Sequence, residues 1–314
     1  MAQFPEEQSE SGEFKRQEDA FRDWVKRDGS TPFEPELGRY HLYVSLACPW
    51  AHRTIILRKL KGLEEAIGLT VVDPVRDERG WAFRDGPGHS EDPVNGFAFL
   101  SEAYRATDPT YHGRVTVPVL WDKKTKRIVS NSDDDLLRMF NREFDEFAKN
   151  NYDFYPPELS GEIDELNELI YQRINNGVYR AGFATAQAVY ERAATRLFEA
   201  LDLLEARLAS QRYLLGSRLT EADWRLFPTL IRFDAVYHGH FKCNLRRLID
   251  YPNLWPYLRD LYQHDGVAGT VNFDHIKRHY YMTHDEINPT RIVPIGPELD
   301  LSAPHGREKF ASAQ

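Results

Sequence analysis

The period of the apolar positions changes along the chain. In "RYHLYVSL", Arg39 to Leu46, Tyr40, Leu42 and Val44 alternate with their neighbours, which is the two-residue period of a strand. From Pro49 to Leu63, Trp50, Ile55, Ile56, Leu60 and Leu63 recur near helical spacing and predict a helix. Gly68 precedes "LTVVDPV", a second strand, and strand–helix–strand at this length is a βαβ unit. Arg76 to Arg114 is rich in Gly, Pro, Asp and aromatics and reads as a long irregular connection, a feature often tied to function. "RVTVPVLWD", Arg114 to Asp122, reads as a strand interrupted by Pro118. A proline there belongs at an edge or a bend, or marks a cis bond. "IVS" is a short strand, and "NSDDDLLRMFNREF" opens with cap residues and continues as a helix.

The order β-α-β followed by β-β-α is that of a thioredoxin-like domain, here residues 40–150, with Cys48 at the first strand-to-helix junction. After Pro156-Pro157 the period becomes helical, so residues 151–314 predict an all-helical domain with an extended tail. Within it Thr220-Glu221-Ala222-Asp223 is a capping box ahead of an apolar run. In the tail, Tyr280, Tyr281, Ile292 and Val293 are expected to pack against the rest of the chain. Residues 1–39 read as an N-terminal arm with a short helix around Phe21–Val25.

Composition narrows the class. A chain of 314 residues with 41% hydrophobic and 28% charged residues suits a soluble globular protein. A net charge of -9 argues against a nucleic-acid binder working through a basic field. No stretch approaches the ~20 apolar residues of a membrane span, and the polar start "MAQFPEEQSESGEF" lacks the apolar core of a secretory signal. Cys48 and Cys243 stand far apart, unlike a disulfide framework. A cytoplasmic protein is expected, without metal, nucleic-acid or membrane partners.

The chemistry then centres on Cys48. At a helix start the backbone N–H groups and the helix dipole favour a thiolate, and such placement lowers a cysteine pKa from about 8.5 to roughly 3.5–7.5. Pro49 fits the first helical position, where its missing N–H is not needed. Ala51 occupies the place where a C-x-x-C protein carries its second thiol, so a disulfide at Cys48 must be released by an external thiol. The residue before Pro118 is held extended, and its backbone can pair with a peptide-like ligand. The alternatives are an inert buried cysteine and an edge proline without a ligand. His238, His240, His279 and His284 lack metal-ligand spacing and read as core or solvated residues.

"SLACPWAHRT", "RVTVPVLWD", "RIVSNSDDDLLRMFN", "GVYRAGFATAQAVYE", "LTEADWRLFPTLIRFDAVY" and "IKRHYYMTHDEINPTRIVPIGP" resemble the Xi-class glutathione transferases, the glutathionyl-hydroquinone reductases. The resemblance runs from about residue 20 to residue 298. It implies an α/β plus all-α fold, a thioredoxin-like N-terminal domain with an all-helical glutathione-transferase C-terminal domain, and a homodimer. It implies attack by Cys48 on the sulfur of a glutathionyl-hydroquinone, then release of the Cys48–glutathione disulfide by a second glutathione. By motif match, Trp81, Arg114 and Val117 contact the thiol co-substrate, with Val117 pairing its backbone ahead of Pro118. Tyr179 and Tyr280 line the hydroquinone pocket, where a phenol can help deliver a proton.

One place departs from that family. Where it carries Glu-Ser to grip the γ-glutamyl end of glutathione, this chain has Ser132 and Asp133, followed by Asp134 and Asp135. A carboxylate there repels the γ-glutamyl carboxylate by about 4 kcal/mol before screening, across ~4 Å near a surface. Hydroxyl and acidic side chains suit a sugar, so mycothiol is weighed beside glutathione as the co-substrate. Two further readings stand: an omega-type thiol transferase or dehydroascorbate reductase, and a non-catalytic ligand-binding protein on the same fold.

Overall fold

The computed structural model describes residues 5–310. They form two compact units: residues 18–153 with 269–283, and residues 5–17 with 154–268 and 284–310. The first holds a four-stranded sheet of β1 (Tyr40–Val44), β2 (Ile67–Val71), β3 (Val119–Asp122) and β4 (Arg127–Ser130), in the order β2-β1-β3-β4. β1 pairs parallel with β2 and antiparallel with β3, and β3 pairs antiparallel with β4. With α1 (Pro49–Leu60), α2 (Leu100–Thr107) and α3 (Asp133–Arg142) the sequence is β-α-β-α-β-β-α. That is the thioredoxin-like order.

β1 is buried at all five positions rather than at alternate ones. Its polar side chains on the second face are satisfied locally. His41 Nε2 lies 2.7 Å from Thr70 Oγ1, and the Tyr43 hydroxyl donates to Asp92 Oδ1 at 2.9 Å. A buried polar group without such a partner costs several times what the bond gains.

Three features differ from the sequence expectations. Residues 21–25 form no helix. They run extended along the edge strand β4, where Asp23 N–H donates to Val129 O and Asn131 N–H to Phe21 O. Pairing with an open edge outweighs the weak helical period of so short a stretch. Next, the stretch from Arg76 to Arg114 contains α2. Glu102 at its third position accepts from the N–H groups of Ala98 and Phe99, both at 2.9 Å, which is half of a capping box. Finally, Tyr280 and Tyr281 lie in a helix, α9 (Phe273–Thr283), and not in an irregular tail. Tyr280 is 1% exposed, whereas Ile292 is 69% exposed and does not pack.

The second unit is helical: α4 (Ser160–Ile170), α5 (Gly177–Gly182), α6 (Gln187–Leu208), α7 (Glu221–Arg232) and α8 (Leu254–Gln263). α4 runs into a π-helical turn at Tyr171–Asn175, and α7 into another at Phe233–Tyr237. The capping box at the start of α7 forms. Asp223 Oδ2 accepts from the Thr220 N–H at 2.8 Å, and Oδ1 accepts from Leu214 N–H at 3.0 Å and from the Tyr257 hydroxyl at 2.8 Å. Among the described residues no helix is long and apolar enough to cross a membrane.

Candidate active site

Cys48 is the N-cap of α1, with extended backbone and Pro49 at the first helical position. Its thiol is partly exposed and donates to the Val117 carbonyl at 3.5 Å. Sequence dictates this placement locally: proline starts the helix, and the buried β1 anchors the residue just before it. The other cysteine, Cys243, is fully buried, and burial pushes its thiol far above the ordinary range. The two cysteines therefore have opposite character, one at a helix start within reach of solvent and one inert in the core.

Val117 precedes a cis Pro118. Its carbonyl faces Cys48, while its N–H takes no acceptor from the described chain. The neighbouring backbone is held from behind. Tyr104 Oη accepts from the Thr116 N–H at 3.1 Å and donates to the Thr116 carbonyl at 2.9 Å, and Asn131 Nδ2 donates to Thr116 Oγ1 at 3.0 Å. A fixed, extended backbone with an open N–H is what pairing with a peptide-like ligand needs.

Ser132 is the N-cap of α3, and its hydroxyl accepts from the Asp135 N–H at 3.3 Å. Asp133 is not a free charge. Arg53, from the second turn of α1, places Nη1 2.7 Å from Asp133 Oδ2 and 3.6 Å from Asp134 Oδ1, with its guanidinium over the Trp50 ring at 4.7 Å. Asp135 is paired bidentately by Arg22, at 2.6 and 2.8 Å. The acidic run thus carries two built-in counter-charges. The repulsion inferred from sequence assumed an uncompensated carboxylate at Asp133, and the Arg53 contact removes that premise.

Trp81 is buried and stacks on His279 of α9, ring centroids 5.1 Å apart, and the Arg76 guanidinium lies 5.5 Å from the Trp81 ring centroid. α9 is tied to the same unit by His279 Nδ1, 2.8 Å from Pro74 O, and Thr270, just ahead of α9, has its Oγ1 2.8 Å from His52 Nε2 on α1. Tyr280 follows directly, its ring 5.2 Å from that of His279. Arg114 is half-buried, and its carbonyl accepts from the Tyr111 hydroxyl at 2.6 Å. Cys48, Trp81, Arg114, Val117, Pro118, Ser132, Asp133 and Tyr280 therefore belong to one unit. Tyr179 belongs to the other, in an aromatic cluster with Phe14, Phe183, Tyr237 and Phe241.

Sequence reading overlooked Arg53, Arg22 and Tyr237. Arg53 stands inside the cysteine motif, and its sign opposes the "SDDD" run, a complementarity that was available. Nothing local marks Arg22 or Tyr237, because their partners are far along the chain.

A thioredoxin-like unit with one cysteine at its first helix start, a cis proline facing it and a helical second unit defines a thiol-handling transferase. Two family models match: the glutathione S-transferase N-terminal domain over residues 47–142 and the C-terminal domain over residues 187–260. The chain is 54% identical over 307 residues to the glutathionyl-hydroquinone reductase YqjG of Escherichia coli, covering 96% of this chain and 94% of that one. It is 50% identical over 293 residues to the glutathionyl-hydroquinone reductase PcpF of Sphingobium chlorophenolicum, covering 93% and 92%. Among solved structures, the glutathione-bound YqjG of Escherichia coli superimposes with a TM-score of 0.89 at 55% identity, covering 92% of this chain and 96% of that one. A Xi-class transferase from Natrialba magadii superimposes with a TM-score of 0.91 at 54% identity, covering 92% and 89%. The chain belongs to the Xi-class glutathione transferases, the glutathionyl-hydroquinone reductase family, and is an enzyme of that kind.

Proposed function

We propose that this enzyme removes glutathione from glutathionyl-hydroquinones through a mixed disulfide on Cys48. The observation that carries the reading is the Cys48 thiol at the start of α1, 3.5 Å from the carbonyl that precedes Pro118. It occurs in a chain 54% identical to a glutathionyl-hydroquinone reductase.

The Cys48 thiolate attacks the sulfur of the conjugate. The S–S bond forms as the carbon–sulfur bond breaks, and its electron pair goes to the ring carbon, which takes a proton. The hydroquinone leaves reduced, and Cys48 carries glutathione. A second glutathione thiolate attacks that disulfide, oxidised glutathione departs, and the Cys48 thiolate returns. The two electrons come from the conjugate's own sulfur and from the second glutathione, and no other reductant is needed. We assign the proton delivery to the phenols of Tyr280 and Tyr179, since a phenol both donates and accepts hydrogen bonds.

Glutathione is the thiol this reading favours. The open N–H of Val117 suits its cysteinyl backbone, with Trp81 and Arg114 beside it. The first turn of α3, from Ser132 and Asp133, receives the γ-glutamyl carboxylate, as helix starts do for anions. Arg53 supports this assignment because it cancels the charge of Asp133. The relative described as glutathione-bound points the same way. We also infer a homodimer in a reducing cytoplasm, on the family resemblance.

The test is turnover of a glutathionyl-hydroquinone with glutathione and with mycothiol, following the free hydroquinone and the oxidised thiol. Faster turnover with glutathione is expected, with a Cys48 adduct visible by mass spectrometry. Full activity in Cys48→Ser overturns the mechanism. Preference for mycothiol overturns the choice of thiol, and reduction of small mixed disulfides alone makes the enzyme an omega-type thiol transferase.

A further inference from the structure

The helical unit contains a cavity of about 680 Å³. Its walls are the segment Glu13–Arg16, the π-helical turn after α4 with the start of α5, and one face of α6. Six of its lining residues are cationic, Lys15, Arg16, Arg173, Arg180, Arg192 and Arg196, against the single carboxylate of Glu13. This stands out in a chain of net charge -9.

Sequence spacing builds it. Arg173 and Arg180 are seven apart along the α4–α5 wall, and Arg192 and Arg196 four apart on α6. Residues at these intervals share a helix face. Between them Gly177 and Ala193 complete the lining. The π-helical turn at Tyr171–Asn175 adds a residue to the wall, a distortion frequent at functional sites.

The bland reading is a solvated basic face. Elsewhere on this chain such arginines are matched by carboxylates: Arg22 with Asp135, Arg212 with Asp260 and Arg246 with Asp202, each within 2.8 Å. At the cavity Lys15, Arg180 and Arg196 are not. Arg180 is held by neutral acceptors, Gln172 O at 2.9 Å and Gln172 Oε1 at 2.8 Å. Lys15 and Arg196 have no carboxylate within ion-pair distance among the described residues, and the nearest to Arg173, Glu199, is 3.9 Å away. Arg192 has a closer acid, Glu13, at 3.3 Å. Amide partners orient a guanidinium without cancelling its charge. Planar forks so oriented fit phosphate or carboxylate oxygens in pairs. The volume falls in the range of small-molecule sites.

We propose that this cavity binds a small polyanion carrying two or more phosphate or carboxylate groups. The test is isothermal titration of the full-length enzyme with inorganic pyrophosphate and, in a second arm, with citrate, at 150 mM salt. Saturable one-site binding to at least one probe is expected, and the tighter probe identifies the anionic group. Arg180→Gln combined with Arg196→Gln should weaken binding at least tenfold. Lys15→Gln, an exposed position with little bearing on folding, should weaken it measurably. Arg246→Gln, whose charge is already paired, should leave it unchanged. Absence of binding at millimolar probe overturns the proposal, as does equal affinity in the cavity variants and in Arg246→Gln.

Discussion

Replacing Arg53 by methionine isolates the feature on which the proposed choice of thiol turns. Methionine keeps much of the stem that packs on Trp50 and removes the guanidinium. The Arg53 side chain is 2% exposed and that of Asp133 14%, and their charged atoms lie 2.7 Å apart. Breaking a buried pair from one side costs about 3–5 kcal/mol, because the remaining charge is left unpaired. Partial solvent access at Asp133 brings the expected loss to about 3 kcal/mol, and loss of the cation–π contact lies within that figure. Asp133→Asn leaves Arg53 a second acid, Asp134 at 3.6 Å, and so should cost less, about 1–2 kcal/mol. In Arg53→Met with Asp133→Asn the orphaned charge is gone, so the double variant should be more stable than the sum by at least about 1.5 kcal/mol. Urea unfolding of the four proteins measures this coupling. The functional readout is KM for glutathione. With Asp133 uncompensated, KM should rise at least about tenfold, which corresponds to ~1.4 kcal/mol, and return toward the parent value in the double variant. Additive stabilities within about 0.5 kcal/mol, or an unchanged KM in Arg53→Met, would refute the neutralisation argument.

Three other outcomes follow from the packing. Asp223→Ala strips the partners of Thr220 N–H, Leu214 N–H and the Tyr257 hydroxyl in a fully buried setting. A loss of about 3–5 kcal/mol is expected in chemical denaturation, and a loss below about 1 kcal/mol contradicts the assigned network. Gly182→Ala puts a Cβ into the Phe241 ring, so about 1–3 kcal/mol of overpacking should appear as a lower thermal midpoint, whereas an unchanged midpoint means the ring yields freely. Burial holds the imidazoles of His41 and His240 down to about 4, against about 6.5 when unfolded. The unfolded chain then binds more protons between these values, so stability should fall as pH drops from 6.5 to about 4 and this contribution should level off below. Each histidine contributes up to about 3 kcal/mol; denaturation curves of His41→Gln should show a shallower decline, and an equal slope rules His41 out as a source.

Local information carried much of this protein. The alternation in β1, the helical spacing after Pro49 and the cap residues before α3 each act within a few residues, so the element order and the place of Cys48 at a helix start were legible directly. The capping box of α7 was legible for the same reason. The misread segments all depend on distant partners. Residues 21–25 are extended because β4 offers an open edge, a fact that exists only once the sheet is assembled. α2 was hidden by the Gly and Pro residues around it, although Glu102 marked its start. α9 counts with the sheet unit because His279 and Thr270 bond across more than 200 residues of chain, to Pro74 and His52. The acidic run at α3 shows the division most clearly. Sequence supplied the charges of Asp133, Asp134 and Asp135, and their sign alone argued for repulsion. Whether those charges stand free depended on where Arg53 and Arg22 came to rest, since electrostatic energy follows separation in space rather than along the chain.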